Sequence, residues 1–277
     1  MTGPRQEETS LDPWTLGGIA VVAYALGNLV HEGLGHGGAC LLVGGRPETL
    51  NAVFFSCDVE GLPASAERWL AAGGSIANLI VAGLAFLALR LLPQHRGPVR
   101  DFAWLTLALG LLMPFGYLLF SGLGGIGDWV VVIRGLRPVL LWRTLLAAAG
   151  AVLYFWLSPR ILMPLLDPFL GAGAERVPRA RRLTLLPYLV GGATFLAAGA
   201  LNPHGAHLVL ISAAAASFGG TSLLAWYPPL FAARVPGSSG APPLGVPRSW
   251  AWISAAAVTL AIFVGWLGPG IDFHPGR

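Results

Sequence analysis

Lysine is absent from this chain of 277 residues; all 17 basic residues are arginine. Charge of either sign is scarce. Only 11% of residues are charged, against about a quarter in an ordinary soluble domain, and so low a charge content excludes that class. The two cysteines, Cys40 and Cys57, make no metal or redox motif. A disulfide between them is possible, but spacing alone does not establish it. The opening MTGPRQEETSLDPW, polar and acidic with the apolar run only following it, does not read as a cleavable signal peptide. The net charge of +4 does not imply nucleic acid. The arginines fall mostly in loops, where they set membrane orientation.

What is abundant is apolar sequence. Hydrophobic residues make up 55% of the chain, and the mean hydropathy is +0.68. The apolar runs are long enough to cross a bilayer as helices, whereas a barrel would show short alternating segments. The fold expected is an all-α, polytopic transmembrane bundle in contact with membrane lipid. Seven runs are readable, at about 14–43, 69–92, 102–122, 139–157, 183–201, 207–226 and 250–267. The chain divides into a polar tail (1–13), a membrane core (14–138) and additional membrane helices (139–277). Between the runs, 44–68 contains NAVFFSC, a β-like stretch that suggests a small hairpin or re-entrant segment. Residues 159–182 read as a long loop, basic at its end, and 235–248 as a Pro/Gly/Ser linker.

Arginines concentrate in the loops after the second, fourth and sixth runs. The positive-inside rule places those loops, and the N-terminus, in the cytoplasm. The 44–68 loop and the C-terminus then lie outside. Arg134, Arg137 and Arg143 run against this pattern. Arginine in place of lysine, with abundant alanine and glycine, suggests a GC-rich bacterial source and hence the inner membrane.

The chemistry is concentrated in His31-Glu32-Gly33-Leu34-Gly35-His36, inside the first run. Ionisable groups at membrane depth are functional candidates by default. Two imidazoles and a carboxylate are what a zinc hydrolase needs: ligands for the metal and a base for its water. The usual helical signature is H-E-x-x-H, with its histidines four apart. Here they are five apart, offset by roughly 140° on a regular helix. A one-residue π-bulge would realign them, and Gly33, Gly35, Gly37 and Gly38 leave the backbone free to form one. Glu32 with His36, four apart, is the alternative pair. A polar patch in a tightly packed glycine-rich helix is the reading without a metal.

A third zinc ligand has few candidates. Asp128, in SGLGGIGDWVV, is preferred because Gly124, Gly125 and Gly127 let the backbone unwind there. Asp167 before Pro168 reads as a loop residue, and His204 and His207 as interfacial residues. Gly125–Asp128 also spells G-x-G-D, a pattern of intramembrane aspartyl proteases, but the only partner carboxylate available is Asp101, at a loop edge.

Three segments, in order, carry a resemblance to the site-2 proteases, intramembrane zinc metalloproteases. VHEGLGHGGACLLVG is similar to that family's H-E-x-G-H helix with one residue inserted. AAGGSIANLIVAGL resembles its A-G-P-x-x-N segment, with Gly74 and Asn78 matching and Ser75 in place of proline. Gly127-Asp128-Trp129 stands where the family writes L-D-G, after the next core span. The resemblance covers residues 14–132. It implies His31, His36 and Asp128 as ligands of Zn2+, Glu32 as general base, and Asn78 as a group contacting substrate backbone. The implied substrate is a transmembrane or membrane-proximal peptide. The alternative is a protease-fold membrane protein that no longer cleaves and serves as a scaffold or subunit of a larger membrane complex.

Overall fold

The computed structural model describes residues 9–93, 96–201, 209–237 and 242–274. Asp12 opens the first helix. Its carboxylate accepts from the Thr15 N–H and hydroxyl at 2.9 Å each, and Pro13 stands in the first helical turn. Both are favoured starts, since the cap satisfies an orphan donor and proline has none to lose. This helix, α1, covers Pro13–Leu42. It is α-helical over Pro13–Leu29 and Gly38–Leu42 and π-helical over Val30–Gly37. A hairpin follows, β1 (Arg46–Asn51) and β2 (Phe54–Asp58), antiparallel with one irregularity between Pro47 and Thr49. Then come α2 (Ala64–Leu91), α3 (Gly97–Gly124), the short α4 (Asp128–Val132) and α5 (Val139–Leu170). The chain continues through α6 (Arg176–Ala200), the π-helical α7 (Val209–Gly219), α8 (Leu223–Arg234), α9 (Trp250–Trp266) and β3 (Ile271–Asp272).

Among the described residues, five helices are long and apolar enough to cross a membrane: α1, α2, α3, α5 and α6. The shortest of them, α6 at 25 residues, is ~38 Å long at the α-helical rise, against a hydrocarbon core of ~30 Å. They also expose what a soluble protein hides. Leu79, Ile80, Leu84 and Leu87 on α2, and Leu140, Leu141, Leu145 and Val152 on α5, are exposed. In water such surfaces would be aggregation sites; in lipid they are solvated. These are features of an integral membrane protein. Of the last two runs, α9 has only 17 residues, and the sixth falls partly on residues outside those described and partly on α7 and α8, which meet at a turn at Ser222.

The central element is α3, which packs against α1, α2 and α5. Trp104 on α3 is fully buried and donates its indole N–H to the Leu162 carbonyl of α5 at 3.0 Å. Tyr24 on α1 fills the space left by the missing side chain of Gly191 on α6, and its hydroxyl meets that of Thr221 at 2.9 Å.

The stretch 159–182 is not a loop. α5 continues to Leu170, and α6 begins inside the arginine run. Leu162, Met163, Leu166, Phe169 and Leu170 are buried, a helical stripe that outweighs Pro164 and Pro168. The turn before Pro159 is π-helical, and Ser158 Oγ donates to the Leu153 carbonyl there at 2.9 Å. Such local adjustment lets membrane helices tolerate proline.

The molecule has two distinct ends. At one, Leu11 bridges to Val246, and Arg248 pairs with Asp12 at 2.9 Å. Arg179 there donates to the carbonyls of Thr9, Phe169 and Leu244. At the other, β3 pairs with β1 and completes a sheet of order β2-β1-β3. Cys40 at the end of α1 is disulfide-bonded to Cys57 of β2. The β-like reading of 51–57 corresponds to this hairpin, whereas β3 carries too short a strand to read from sequence.

Burial works against the charge of Asp12, but Arg248 and the Thr15 donors hold its carboxyl below the usual carboxylate range. A lowered value means the contribution is present at neutral pH and is lost as pH falls through that range. Asp12→Ala should destabilise the protein in detergent by about 1 kcal/mol, read as a lower thermal midpoint. Asp12→Asn, which keeps a capping oxygen, should cost less, and its gap from wild type should begin to narrow only near about pH 4 and close below it. An Asp12→Ala midpoint equal to wild type would show that the cap does not hold this end.

Candidate metal centre

A π turn closes i→i+5 hydrogen bonds, so residues five apart come to lie over one another. Within Val30–Gly37 this brings the His31 and His36 rings to a centroid separation of 4.8 Å, edge to face. The expected bulge is present, and it extends over more than one turn. Two glycine positions allow the rest. A Cβ on Gly35 would lie 2.5 Å from the Gly74 Cα and 2.7 Å from the Gly73 carbonyl oxygen. Backbones of α1 and α2 therefore touch at this level, as small residues permit in membranes. A Cβ on Gly74 would lie 2.5 Å from His31 Nε2, so the glycine is what leaves room for the imidazole.

Asp128 comes from the other side. Gly125 ends α3 with φ +70°, and Gly127, at φ +90°, turns the chain so that Asp128 begins α4. Three contacts hold this turn. Trp129 donates its indole N–H to Ser75 Oγ at 3.1 Å, Arg134 pairs with Glu67 at 2.9 Å, and Arg68 donates to the Arg134 carbonyl at 2.8 Å. Arg143 donates to the carbonyls of Gly122 and Leu123 at the end of α3. Two of the three arginines that oppose the orientation rule thus have structural partners.

The result is convergence. Asp128 Oδ2 lies 3.5 Å from His31 Nε2 and 3.3 Å from His36 Nε2. One ligand atom from each of the three residues lies within 4.8 Å of the others. These separations are long for charge-assisted hydrogen bonds, which run ~2.7–2.9 Å. They match the edge of a tetrahedron, roughly 3.4 Å for zinc–ligand distances of ~2.0–2.2 Å. Asp128 Oδ2 is buried and makes no hydrogen bond with any described residue. His36 Nδ1 lies 2.7 Å from the Leu70 carbonyl, an acceptor only, so that nitrogen carries the proton. His36 Nε2 then faces the anionic Asp128 oxygen, an arrangement that either a proton on Nε2 or a metal cation between the two makes favourable. The donor set fits a metal ion. Burial pushes the Asp128 carboxyl up, but the two imidazoles outweigh this and hold it well below the usual range, so it is ionised at neutral pH.

Glu32 is half-buried and lines the same cavity, about 500 Å³ in volume. It is within electrostatic reach of both histidines and Asp128. Asn78 is buried and does not line the cavity; its amide nitrogen lies 3.2 Å from His31 Nδ1. Its contact is with a ligand ring and not with the space a substrate would fill. For His31 to ligate through Nε2, its Nδ1 carries the proton and the Asn78 amide turns to accept it, an orientation assigned from the network. Asp167 is taken up by Arg176 on α6, and Asp101 is buried in α3, outside the cavity. His95, His204 and His207 lie outside the described residues. Phe195 and Ala216 also line the cavity, so the helices after residue 138 form part of its wall. Sequence reading passed over that wall, over the Ser75–Trp129 bond and over Tyr117.

Comparison of the chain with protein-family models, with curated proteins and with solved structures finds no match.

Gly74→Ala should force the His31 ring aside and weaken zinc binding by about 10–100-fold, the usual cost of disturbing a ligand's support. Gly83→Ala, on the same helix but with open space around it, should leave it unchanged. Titration of the purified variants with zinc against a competing chelator measures both. Equal affinities would show that His31 does not need its present position.

Proposed function

We propose that this protein is a membrane-embedded zinc metallopeptidase of the site-2 type. The observation that carries the reading is the convergence of His31, His36 and Asp128 at tetrahedral-edge distances beside Glu32. Bound zinc supplies a Lewis acid and lowers the pKa of its water toward ~7. His31, His36 and Asp128 would hold it, and Glu32 would take the water proton and deliver it to the leaving amine.

The substrate is a transmembrane or membrane-proximal peptide in extended form, since a helix hides its carbonyls in hydrogen bonds. β2 is one of the two edge strands of the sheet, and Phe54 and Phe55 line the cavity. An extended segment added beside β2 would be led past the metal. The centre faces the end of the bundle that holds the disulfide, opposite the arginine-rich end. Disulfides persist in oxidising compartments, and arginines stay in the cytoplasm. Both support a reading with the N-terminus in the cytoplasm of a bacterial inner membrane and the site toward the outside.

The test is metal content with matched variants. Wild type purified without chelators should carry about one zinc, and His36→Ala and Asp128→Ala should carry little. Glu32→Gln should retain zinc but lose cleavage of a reporter membrane peptide by at least about 100-fold. Wild type without stoichiometric zinc would overturn the hydrolase reading. Undiminished cleavage by Glu32→Gln would remove Glu32 from the chemistry.

A further inference from the structure

Tyr24, Tyr154 and Tyr188 each spend their hydroxyl on a bond inside the bundle: to Thr221, to Ser222 and the Leu223 N–H, and to the Phe218 carbonyl. Tyr117 on α3 does not. It is half-buried and lines the cavity that contains His31, His36 and Asp128. Its hydroxyl makes no hydrogen bond with any described residue. A hydroxyl on a cavity wall with no protein partner is free to bond whatever occupies the cavity, and at a reaction site that occupant is commonly the substrate.

The ring is held from three sides. It stands edge-on to His31, with centroids 6.0 Å apart at 80°. Phe120 stacks against it at 6.4 Å. Its hydroxyl-bearing end lies over Gly127, where a Cβ would come within 3.3 Å of Tyr117 Cζ. The residue next to Gly127 is Asp128, and the phenol is within electrostatic reach of both Asp128 and Glu32. A ring held on three sides thus carries its hydroxyl on the wall of the cavity shared by His31, His36, Asp128 and Glu32.

We propose that Tyr117 is a catalytic residue, the donor that stabilises the oxygen of the scissile carbonyl as it becomes negative. The inference rests on the hydrolase reading and names a group beyond it. In the hydrolysis, water oxygen bonds to the carbonyl carbon, and the carbon–nitrogen bond breaks. The water proton passes through Glu32 to the amine. Tyr117 keeps its own proton throughout and shares it with the carbonyl oxygen, more strongly as charge grows there. Donors fixed in advance where charge develops are the usual source of such stabilisation.

Tyr117→Phe separates this role from packing, because it keeps the ring against His31 and Phe120 and removes only the hydroxyl. The experiment uses the zinc-loaded full chain in detergent and two pseudo-peptides of one leucine-flanked sequence. The first has a phosphinate in place of the scissile amide, tetrahedral with two oxygens. The second ends in a thiol, which can reach the metal but offers no such oxygen. Tyr117→Phe should keep wild-type zinc content, bind the phosphinate about 10–100-fold more weakly, and bind the thiol as wild type does. Equal phosphinate affinity would overturn the proposal. Equal weakening for both probes would also overturn it, because the hydroxyl would then act on the metal or the fold. A wild-type chain that takes up no zinc overturns the hydrolase reading and this role together; zinc uptake with unchanged phosphinate binding overturns the tyrosine alone.

Discussion

The candidate centre depends on one change of backbone hydrogen bonding. Over Val30–Gly37 the first helix closes its bonds one residue further along. Without that change, His31 and His36 would point away from one another, and Asp128 could meet only one of them. With it, three ionisable groups that would be costly alone at this depth partner each other. A wide turn in a membrane helix is not free, since its bonds are less well aligned than those of an α-helix. Glycine at 33, 35 and 37 lowers the side-chain obstruction to forming it, and the disulfide from Cys40 ties the end of the same helix to β2.

The second dependence is close approach. Gly35, Gly73 and Gly74 let α1 and α2 meet backbone to backbone, and that contact fixes the depth at which His31 sits against Asn78. The turn carrying Asp128 is fixed separately, by Ser75 and Glu67 on α2 and by Arg143 on α5. α2 is therefore the common reference for both halves of the His31–His36–Asp128 cluster. It orients both histidines, His31 through Asn78 and His36 through the Leu70 carbonyl, and holds the loop that supplies the carboxylate.

Much of this was legible in the sequence. The apolar runs read as helices because their length leaves no other structure that satisfies the backbone in lipid. The five-residue spacing of the histidines, set among glycines, demanded a bulge if they were to act together. Other features were not legible. The end of the fourth run was hidden by Pro159, Pro164 and Pro168, whose ordinary meaning is a helix stop, while the buried stripe from Leu162 to Leu170 kept the helix going. Asn78 reads as a polar residue near a site, but only geometry shows that it faces a ligand ring. The contribution of Phe195 and Ala216 to the cavity wall comes from residues more than 60 positions from the last ligand, and no local pattern signals such a contact.

The disulfide end and the arginine end divide the molecule by function. Arginines at one end bind carbonyls and carboxylates of neighbouring segments and fix how the helices meet, as Arg176 and Arg179 do. The opposite end carries the sheet, the disulfide and the ligand cluster. The claim on which the account turns is that the cluster is a metal site and not an ion-pair patch. X-ray absorption at the zinc edge of the zinc-loaded protein tests it most directly. The account predicts a first shell of nitrogen and oxygen at ~2.0–2.2 Å, with outer-shell scattering from two imidazoles that falls to one in His31→Ala. A sulfur first shell, or a spectrum that His31→Ala leaves unchanged, would contradict it.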